Sequence, residues 1–325
     1  MTVREPTDMA DVFQRLARHR SAASPRATSL PPEHWPNRAA SENVQAGGLT
    51  WHVQRVGQGV PTLLLHGTGA STHSWDGMLE RLATRHELFV PDLPGQGFSE
   101  AMTGTAGNPT LRGMAHALAS LLEAQAFRPA VIIGHSAGAA LALQLVLSGA
   151  CSPRLVIGVN AALEPYDGFL APIAQPLARV FAALTPVTSV IASRARKPGT
   201  VERLIASTGS SLPPEAIEPY RELLSRESHV AATLAMMAHW DLHELDRRLT
   251  HLPCPLCLVV GEADKTVPAD QAVRAADRVP KARIIRLAAL GHLAHEEQPE
   301  QVFNAIEIAE HWAGGIYASA ADTGQ

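Results

Sequence analysis

Residues 131–147 constrain the fold of this chain more than any other segment of it. An apolar strand at 131–133 is followed by the pattern G-x-S-x-G at 134–138 and then by an Ala/Leu-rich helix. This arrangement predicts a nucleophile elbow, a sharp strand-to-helix turn that holds a serine hydroxyl in strained, exposed backbone. Glycine is needed at Gly134 and Gly138 because a Cβ there would collide with the neighbouring strand or helix. Ser136 is therefore the candidate nucleophile.

Strands and helices alternate before and after the elbow. A hairpin is predicted at 44–56, with its turn at Gly47-Gly48. Further strands are predicted at 62–65, 88–90, 131–133, 155–159, 256–260 and 283–287, and helices at 75–85, 111–126, 139–147, 271–278 and 300–312. Such alternation is typical of a mostly parallel sheet with helices on both faces. We therefore expect an α/β fold.

The alternation stops between residues 162 and 249, where every segment has a helical pattern. A helical insertion of this kind is expected to form a cap over the carboxyl ends of the strands, where parallel sheets bind ligands. The predicted organisation is a core of residues 41–161 and 250–314, a helical cap of residues 162–249, a flexible N-terminal extension of residues 1–40 and a flexible tail of residues 315–325.

Composition excludes several classes of protein. Of the 325 residues, 46% are hydrophobic and 18% are charged, which is typical of a globular chain rather than a disordered one. A net charge of −4 argues against a nucleic-acid-binding protein. No apolar run reaches the length of a transmembrane span, and the N-terminus lacks the apolar core of a signal peptide. A cytoplasmic protein is therefore expected.

One apolar stretch leaves a role at the membrane surface open. Residues 169–193 carry a single charge, at Arg179, but Pro172, Pro176 and Pro186 exclude an uninterrupted helix. The stretch favours short helices that line an apolar pocket or contact the inner membrane peripherally.

No metal or cofactor site is predicted. The fifteen histidines form no H-E-x-x-H pattern, and the glycines near Gly67 lack the spacing of a phosphate-binding loop. Cys254 and Cys257 have the C-x-x-C spacing, but a strand follows them instead of a helix or a second ligand pair. With Cys151 they make three cysteines, a small odd number that favours a reducing compartment. We expect the pair to be core residues.

A serine nucleophile needs a base and an acid that orients the base, and in this type of fold the three follow in the order Ser, Asp, His. Asp264 comes just beyond the predicted strand 256–260, and His292 lies in the loop after the last strand. We therefore expect Ser136, Asp264 and His292 to form a catalytic triad.

Other polar residues near these motifs receive supporting roles. Glu262 is the nearest rival acid, although strand alternation would direct it away from the site, and Asp167 and Asp241 are further rivals. Asp92 is expected to hold loop backbone, and the side chains of His66 and His135 are expected to be structural. His295 is expected either to support the site from behind or to lie at the surface.

Acyl transfer also needs N–H donors where negative charge develops on the carbonyl oxygen. The loop of residues 66–70, here called the oxyanion loop, would offer the backbone N–H of Thr68, with that of Gly69 as a further donor. The N–H of Ala137, next to the nucleophile, would face it. Thr68 and Ala137 are thus the predicted oxyanion hole.

Six residues are candidates for the substrate pocket, three beside the elbow and three in the insertion: Gly67, Gly69, His135, Met236, Met237 and Trp240. The last three form an apolar group suited to a large, flat ligand. Ordinary packing of the cap on the core explains them equally well.

Several short blocks carry a resemblance to known families: Trp35-Pro36-Asn37-Arg38, Ala46-Gly47-Gly48-Leu49, Trp51-His52-Val53-Gln54, His66-Gly67-Thr68-Gly69-Ala70, Gly134-His135-Ser136-Ala137-Gly138-Ala139-Ala140, Met236-Met237 with Trp240-Asp241-Leu242, and Gly291-His292-Leu293-Ala294-His295-Glu296-Glu297. From residue 44 to residue 300 the chain resembles the α/β-hydrolase superfamily, whose triad positions match Ser136, Asp264 and His292. More narrowly, it is similar to the magnesium chelatase accessory (BchO-like) family of bacteria that make bacteriochlorophyll.

The resemblance implies a serine hydrolase of the carboxylic-ester type that acts in or near the magnesium-tetrapyrrole pathway. It implies an apolar small-molecule substrate, large and planar like a tetrapyrrole, and magnesium chelatase subunits as partners. Two alternatives stay open: a tetrapyrrole-binding, chelatase-assisting protein without catalysis, and a carbon–carbon bond hydrolase with the same triad. Dehalogenases and epoxide hydrolases are excluded because their chemistry needs Asp at the position of Ser136.

Overall fold

A computed structural model describes residues 30–103, 107–165 and 185–322. Within these ranges the strands are β1 (Ser41–Ala46), β2 (Leu49–Val56), β3 (Val60–Leu65), β4 (His86–Pro91), β5 (Val131–His135), β6 (Leu155–Val159), β7 (Leu256–Gly261) and β8 (Ala282–Leu287). They form an eight-stranded sheet in the order β1-β2-β4-β3-β5-β6-β7-β8.

The sheet is mostly parallel. β1 and β2 make an antiparallel hairpin in which Ala46 lies opposite Leu49, and β2 is also antiparallel to β4. The pairs from β4 through β3, β5, β6 and β7 to β8 are parallel. The carboxyl ends of these six strands therefore meet at one edge of the sheet. The predicted α/β fold is confirmed, as is the hairpin turned at Gly47-Gly48.

The helices of the described residues are α1 (Asp76–Leu82), α2 (Leu111–Ala124), α3 (Ala137–Leu147), α4 (Thr185–Ala195), α5 (Thr200–Ser207), α6 (Pro214–Leu224), α7 (Glu227–His239), α8 (His243–Arg248), α9 (Ala269–Ala276), α10 (Ala294–Glu297) and α11 (Pro299–Asp322). One face of the sheet buries apolar residues against α2, α3 and α9, and the other against α1, α10 and α11. The central strands β5, β6 and β7 are fully buried apolar runs, as a parallel sheet covered on both faces requires.

The helical insertion between β6 and β7 contains α4 to α8 within the described residues. Asp167 and most of the apolar stretch 169–193 lie outside the described residues. The boundaries 162 and 249 and the role of this insertion as a cap stay predictions.

Both ends of the fold differ from the sequence prediction. Residues 1–29 lie outside the described residues, but residues 30–40 are packed on the fold rather than detached. Trp35 is 2% exposed, and the Gln54 side chain donates a hydrogen bond to the Pro36 carbonyl at 2.8 Å. At the other end, where the sequence predicts a flexible tail from residue 315, α11 continues past Gly314 to Asp322.

The cysteines are free thiols, and Cys254 and Cys257 are buried as predicted. Burial raises the pKa of Cys254 to about 11 and that of Cys257 to about 12, so both are apolar core residues at neutral pH. Within the described ranges, none of the helices has both the length and the apolar character needed to cross a membrane. The same residues contain no cluster of three or more His, Cys, Asp or Glu arranged to hold a metal ion.

Candidate active site

Ser136 stands at the sharp turn between β5 and α3. Its backbone has φ 51° and ψ −117°, a conformation that a non-glycine residue adopts at a cost of about 1–3 kcal/mol. The Ser136 N–H donates to the Val159 carbonyl at 3.0 Å, which ties the turn to the adjacent strand. A Cβ on Gly138 would lie 2.3 Å from the Leu65 carbonyl oxygen, so only glycine fits there. The backbone is that of a nucleophile elbow.

Asp264 and His292 lie in the loops that follow β7 and β8. Asp264 Oδ2 accepts a hydrogen bond from His292 Nδ1–H at 2.7 Å, and its Oδ1 accepts from the N–H groups of Thr266 and Val267 at 2.7 and 2.9 Å. The Asp264 side chain is 1% exposed and the His292 side chain 9%. Because an ionised carboxylate only accepts, the pair places the proton on His292 Nδ1 and leaves Nε2 as an acceptor.

The His292 loop is fixed next to the elbow by two side chains. His135 Nε2–H donates to the His292 carbonyl at 2.9 Å, and the rings of the two histidines are 4.8 Å apart. The amide of Asn160 donates to the same carbonyl and to that of Gly291, both at 2.8 Å, while its oxygen accepts from Gly261 N–H at 2.7 Å. These contacts hold the loops after β5, β6, β7 and β8 together.

His135 therefore has a structural contact, as predicted for its side chain. Burial holds its pKa well below the ordinary value, so the ring is neutral and donates from Nε2 alone. Asn160 was missed by the sequence analysis. The available signal was an asparagine directly after a strand, where its φ of 44° is a conformation that Asn tolerates better than most residues.

A buried polar group behind His135 contains His295, Ser74, Glu296 and Tyr220. The His295 ring is 4.4 Å from that of His135, and its Nε2–H donates to Ser74 Oγ at 2.8 Å. Glu296 Oε1 accepts from the hydroxyls of Ser74 and Tyr220 at 2.7 and 2.6 Å. Burial lowers the pKa of His295 to about 3 and raises that of Glu296 to about 8. His295 is thus a supporting residue rather than a surface one, and Glu296 was missed.

The oxyanion loop directs the Thr68 N–H. His66 Nδ1–H donates to the Gly67 carbonyl at 2.8 Å, and His66 Nε2 accepts from Leu93 N–H at 2.9 Å. Because the C=O and N–H of a trans peptide point in opposite directions, the His66 contact also orients the N–H of Thr68. Within the described residues, the N–H groups of Thr68 and Ala137 have no hydrogen-bond acceptor. Both are available to a bound oxygen atom.

Gly67 lies directly against the nucleophile, since a Cβ there would be 2.7 Å from His135 Nδ1 and 3.2 Å from Ser136 Cβ. Gly69 has another function than predicted, because its N–H donates to Gln96 Oε1 at 2.6 Å. The expectation that Gly69 offers a further oxyanion donor is therefore wrong. Gln96 is fully buried and was not singled out by the sequence analysis.

Asp92 holds loop backbone, as expected. Its oxygens accept from Thr72 N–H at 2.7 Å, Phe98 N–H at 2.8 Å and His52 Nδ1 at 2.6 Å. Burial alone would raise the pKa of Asp92, but the adjacent His52 and the Phe98 N–H bring it below the ordinary value. The carboxylate is charged and fully occupied by these donors.

The rival acids and the remaining candidate pocket residues differ in exposure and in the residues that they contact. Glu262 is exposed and forms an ion pair with Arg286 at 3.6 Å, and Asp241 is exposed and bonded to His243. Met236 is 1% exposed and accepts from the Gln96 amide, whereas Met237 is 55% exposed. Trp240 is half-buried against the core. The two methionines and Trp240 therefore do not form the single apolar surface that the sequence predicted.

The Ser136 hydroxyl makes no hydrogen bond to any other described residue. The residue is 8% exposed, and its Cβ would lie 3.2 Å from a Cβ on Gly67. The two free N–H groups belong to the residues that follow Gly67 and Ser136 in the chain. The arrangement brings a strained serine, a histidine with a free Nε2 and two unoccupied donors to the same edge of the sheet. Such a set can carry out acyl transfer.

The sequence is similar to a known family and to named relatives. Residues 62–305 match the sequence model of the alpha/beta hydrolase family. A Rhodobacter capsulatus protein named magnesium-chelatase 30 kDa subunit is 38% identical over 269 residues, which cover 82% of this chain and 92% of that protein. A pimeloyl-[acyl-carrier protein] methyl ester esterase of Aeromonas hydrophila subsp. hydrophila is 30% identical, with 81% of this chain and 98% of the relative covered.

Two solved structures show the same architecture. An alpha/beta hydrolase fold protein from Burkholderia ambifaria superimposes with a TM-score of 0.70 at 24% identity, over 82% of this chain and 97% of that one. A thermophilic esterase from Thermogutta terrifontis gives a TM-score of 0.67 at 25% identity, over 84% and 99% of the two chains.

Proposed function

Because the chain belongs to the alpha/beta hydrolase family, we propose that it is a serine hydrolase that cleaves a carboxylic ester with Ser136, His292 and Asp264. The observation that carries this proposal is the 2.7 Å hydrogen bond from His292 to a carboxylate whose other oxygen is already occupied by two backbone N–H groups. This arrangement leaves His292 Nε2 as an acceptor, and the His292 loop is bonded to His135, the residue before the strained Ser136.

In the proposed reaction Ser136 Oγ attacks the ester carbonyl while its proton moves to His292 Nε2. Asp264 keeps the imidazole in the required tautomer and stabilises its positive charge. The negative charge on the carbonyl oxygen is received by the N–H groups of Thr68 and Ala137, each worth about 3 kcal/mol of transition-state stabilisation. The imidazolium then gives its proton to the departing alcohol, and a water molecule, deprotonated by His292, releases the acid from Ser136.

The Ser136 hydroxyl has no protein partner among the described residues, which fits a nucleophile whose bond to the base is completed when the substrate is bound. We propose that the helical insertion acts as a cap, since α7 lies against the oxyanion loop. Its apolar residues would then cover the acyl or alcohol part of the substrate.

For the substrate class we propose a large, apolar ester on a tetrapyrrole, in the pathway that includes magnesium insertion. The support is the relative from Rhodobacter capsulatus, whose name places it with magnesium chelatase. Esterases among the other relatives support the type of bond that is cleaved. The subunits of magnesium chelatase are the partners that this proposal implies.

The proposal is tested by labelling the purified protein with a fluorophosphonate, which reacts with activated serines, and by comparing Ser136→Ala. Labelling that is lost in the variant is the expected result. A folded wild-type protein that admits the reagent and stays unlabelled would disprove an activated Ser136.

The same relative favours a second candidate function, in which the protein binds a tetrapyrrole and assists the chelatase without catalysis. The two functions are separated by asking whether Ser136→Ala restores pigment synthesis in cells that lack the protein. Full restoration would favour the binding function, whereas failure by a stably folded variant favours the hydrolase.

A further inference from the structure

One face of α7 is turned towards the oxyanion loop. Arg226, which precedes the helix, and then His229, Thr233 and Met236 recur at helical spacing along this face. Thr233 Cγ2 would be 3.6 Å from a Cβ on Gly69, and Met236 Sδ accepts from the Gln96 amide at 2.9 Å. The insertion thus contacts the loop that presents the Thr68 N–H.

Both polar backbone groups of Gly69 are held, each from a different side. Its N–H donates to Gln96 Oε1 at 2.6 Å, and its carbonyl accepts from His229 Nε2–H at 3.2 Å. Gln96 belongs to the core turn after β4, whereas His229 belongs to α7. The conformation of Gly69, with φ 79°, therefore depends on one residue from each part of the protein.

The same turn is bonded in three further places to α7 and to Arg226, which precedes it. Gly97 N–H donates to His229 Nδ1 at 3.1 Å, the Gly97 carbonyl accepts from Arg226 Nη1 at 3.0 Å, and the Gln96 amide reaches Met236. Burial lowers the pKa of His229 to about 4, so the ring is neutral and has one donor and one acceptor. The donor Nε2–H is used by the Gly69 carbonyl and the acceptor Nδ1 by Gly97 N–H.

We propose that Gln96 and His229 are positioning residues that make the shape of the oxyanion loop depend on the seating of α7. If α7 moves away, the Gly69 carbonyl and Gly97 N–H lose His229, and Gln96 loses Met236. The peptide next to the Thr68 N–H is then held from the core alone. The oxyanion hole is fully formed only when the insertion is closed on the core. The catalytic part of this inference rests on the proposed function.

Amide exchange of Gly69 tests the structural part without any reaction. His229→Leu removes the bond at the Gly69 carbonyl and leaves the bond from Gly69 N–H to Gln96 chemically intact. With ¹⁵N-labelled glycine, we expect the Gly69 amide to exchange at least about tenfold faster in this variant, since its protection requires a closed loop. His229→Gln, whose amide can still donate to the Gly69 carbonyl, should restore much of the protection.

Asp246→Asn is the matched control. Asp246 on α8 pairs with Arg278 of the core, so this variant weakens another contact between insertion and core, away from Gly69. Exchange at Gly69 should stay at the wild-type rate. Equal Gly69 exchange in wild type and in both folded His229 variants would overturn the inference.

Kinetics with a p-nitrophenyl ester test the consequence for the site. Gln96→Met and His229→Leu should each lower kcat by about 10- to 100-fold, with KM changed by less than about threefold, because a misplaced oxyanion donor affects the transition state. Binding of phenylboronic acid, whose adduct places an oxygen in the hole, should weaken in parallel. Asp246→Asn should alter neither.

A rise in KM alone, or losses no larger than those of Asp246→Asn, would overturn the catalytic part of the inference. A wild-type protein without turnover would disprove the proposed function instead. Exchange at Gly69 would still decide whether α7 positions the loop.

Discussion

Asp264 and Glu296 are both buried carboxyl groups, but their partners differ in kind. Asp264 accepts from three N–H groups, one of which belongs to His292. Glu296 accepts from two hydroxyls, and burial raises its pKa to about 8. A neutral replacement of Asp264 should therefore lower activity, whereas a neutral replacement of Glu296 should raise stability at alkaline pH.

Asp264→Asn should reduce kcat/KM for an ester substrate by about 10⁴-fold. The Asn oxygen would keep the N–H groups of Thr266 and Val267, so its NH₂ would face His292 Nδ1. That contact turns Nδ1 into an acceptor and moves the ring proton to Nε2. A protonated Nε2 cannot accept the proton of Ser136. The measurement is the rate with a p-nitrophenyl ester. Glu262→Gln, at the exposed rival acid, should act like the wild type, and a loss of equal size there would contradict the assignment.

Glu296→Gln should change how stability depends on pH. Between its ordinary pKa and about 8, the folded protein holds a proton on Glu296 that the unfolded chain has released. Wild-type stability therefore falls as pH rises through this window. Gln does not titrate, and its oxygen can accept both hydroxyls. The variant should become more stable than the wild type at the alkaline end, by up to about 5 kcal/mol.

Urea unfolding of both proteins at about pH 5 and about pH 9 measures this difference. Glu300→Gln is the control, because its side chain is 60% exposed and pairs with Arg81 at the surface. Its stability difference from the wild type should not vary with pH. Parallel pH profiles for the wild type and Glu296→Gln would show that Glu296 does not titrate in this window.

The segment of residues 30–40 forms neither a strand nor an α-helix, yet it packs on the fold. Trp35 is 2% exposed, its ring lies 4.8 Å from that of Phe98, and it packs in a cluster with Leu223 of α6. Trp35 thus joins the segment of residues 30–40 to the core turn after β4 and to the insertion.

Trp35→Ala should lower the free energy of unfolding by about 3–5 kcal/mol, since a large buried ring is removed from a site that is closed on several sides. The adjacent His34 side chain is 73% exposed, and His34→Ala should change stability by less than about 0.5 kcal/mol. Denaturant unfolding measures both. Similar values for the two variants would place Trp35 outside the packed structure.

Most strands and helices could be predicted because the periodic pattern of apolar residues that indicates each one lies within its own short segment. The hairpin, the six predicted parallel strands and the elbow follow from such patterns. The two ends could not be predicted in this way. Gly314 and Gly315 indicate a helix stop, yet α11 continues and the Tyr317 hydroxyl donates to the Arg154 carbonyl at 3.0 Å. Residues 30–40 have no periodic pattern of apolar residues. Their packing on the fold depends on contacts of Trp35 with residues distant in sequence.

At the scale of the whole molecule, the insertion supports both loops of the Asp264–His292 pair. The Thr208 carbonyl accepts from Lys265 N–H at 3.1 Å and from His292 N–H at 3.3 Å. Ser210 Oγ accepts from Leu293 N–H at 2.8 Å. The turn after α5 is thus bonded to the loop of the acid and to the loop of the base.

Gly209→Ala should lower kcat/KM by at least about tenfold, since small displacements of reacting groups are costly. Gly209 has φ 88°, and a Cβ would lie 2.2 Å from the Ala263 carbonyl oxygen in the acid loop. Gly199→Ala is the matched control in the same insertion. Its φ is 76°, but the nearest atom to its Cβ is the flexible end of Arg203. Ester kinetics of both variants are compared, and equal losses would mean that only backbone strain is involved.

The positions of Asp264 and His292 could be predicted from the ends of predicted strands, because parallel strands end at one edge. Asn160 also follows a predicted strand, but its partners could not be predicted in this way, and neither Gln96 nor His229 could be singled out. Asn160 reaches Gly291 across 131 residues and His229 reaches Gly69 across 160, so their functions depend on the assembled fold. A polar residue in a loop or on a helix gives no local sign of such a partner.

The bonds of Thr208 and Ser210 have a consequence for how a protein of this design could evolve. A lineage that exchanged its insertion for another, to accept a new substrate, would also lose the carbonyl and hydroxyl that hold the acid and base loops. New specificity would have to arise by point substitutions on surfaces away from this turn. Grafting a foreign insertion onto the sheet would need the Thr208–Ser210 junction to be transplanted unchanged.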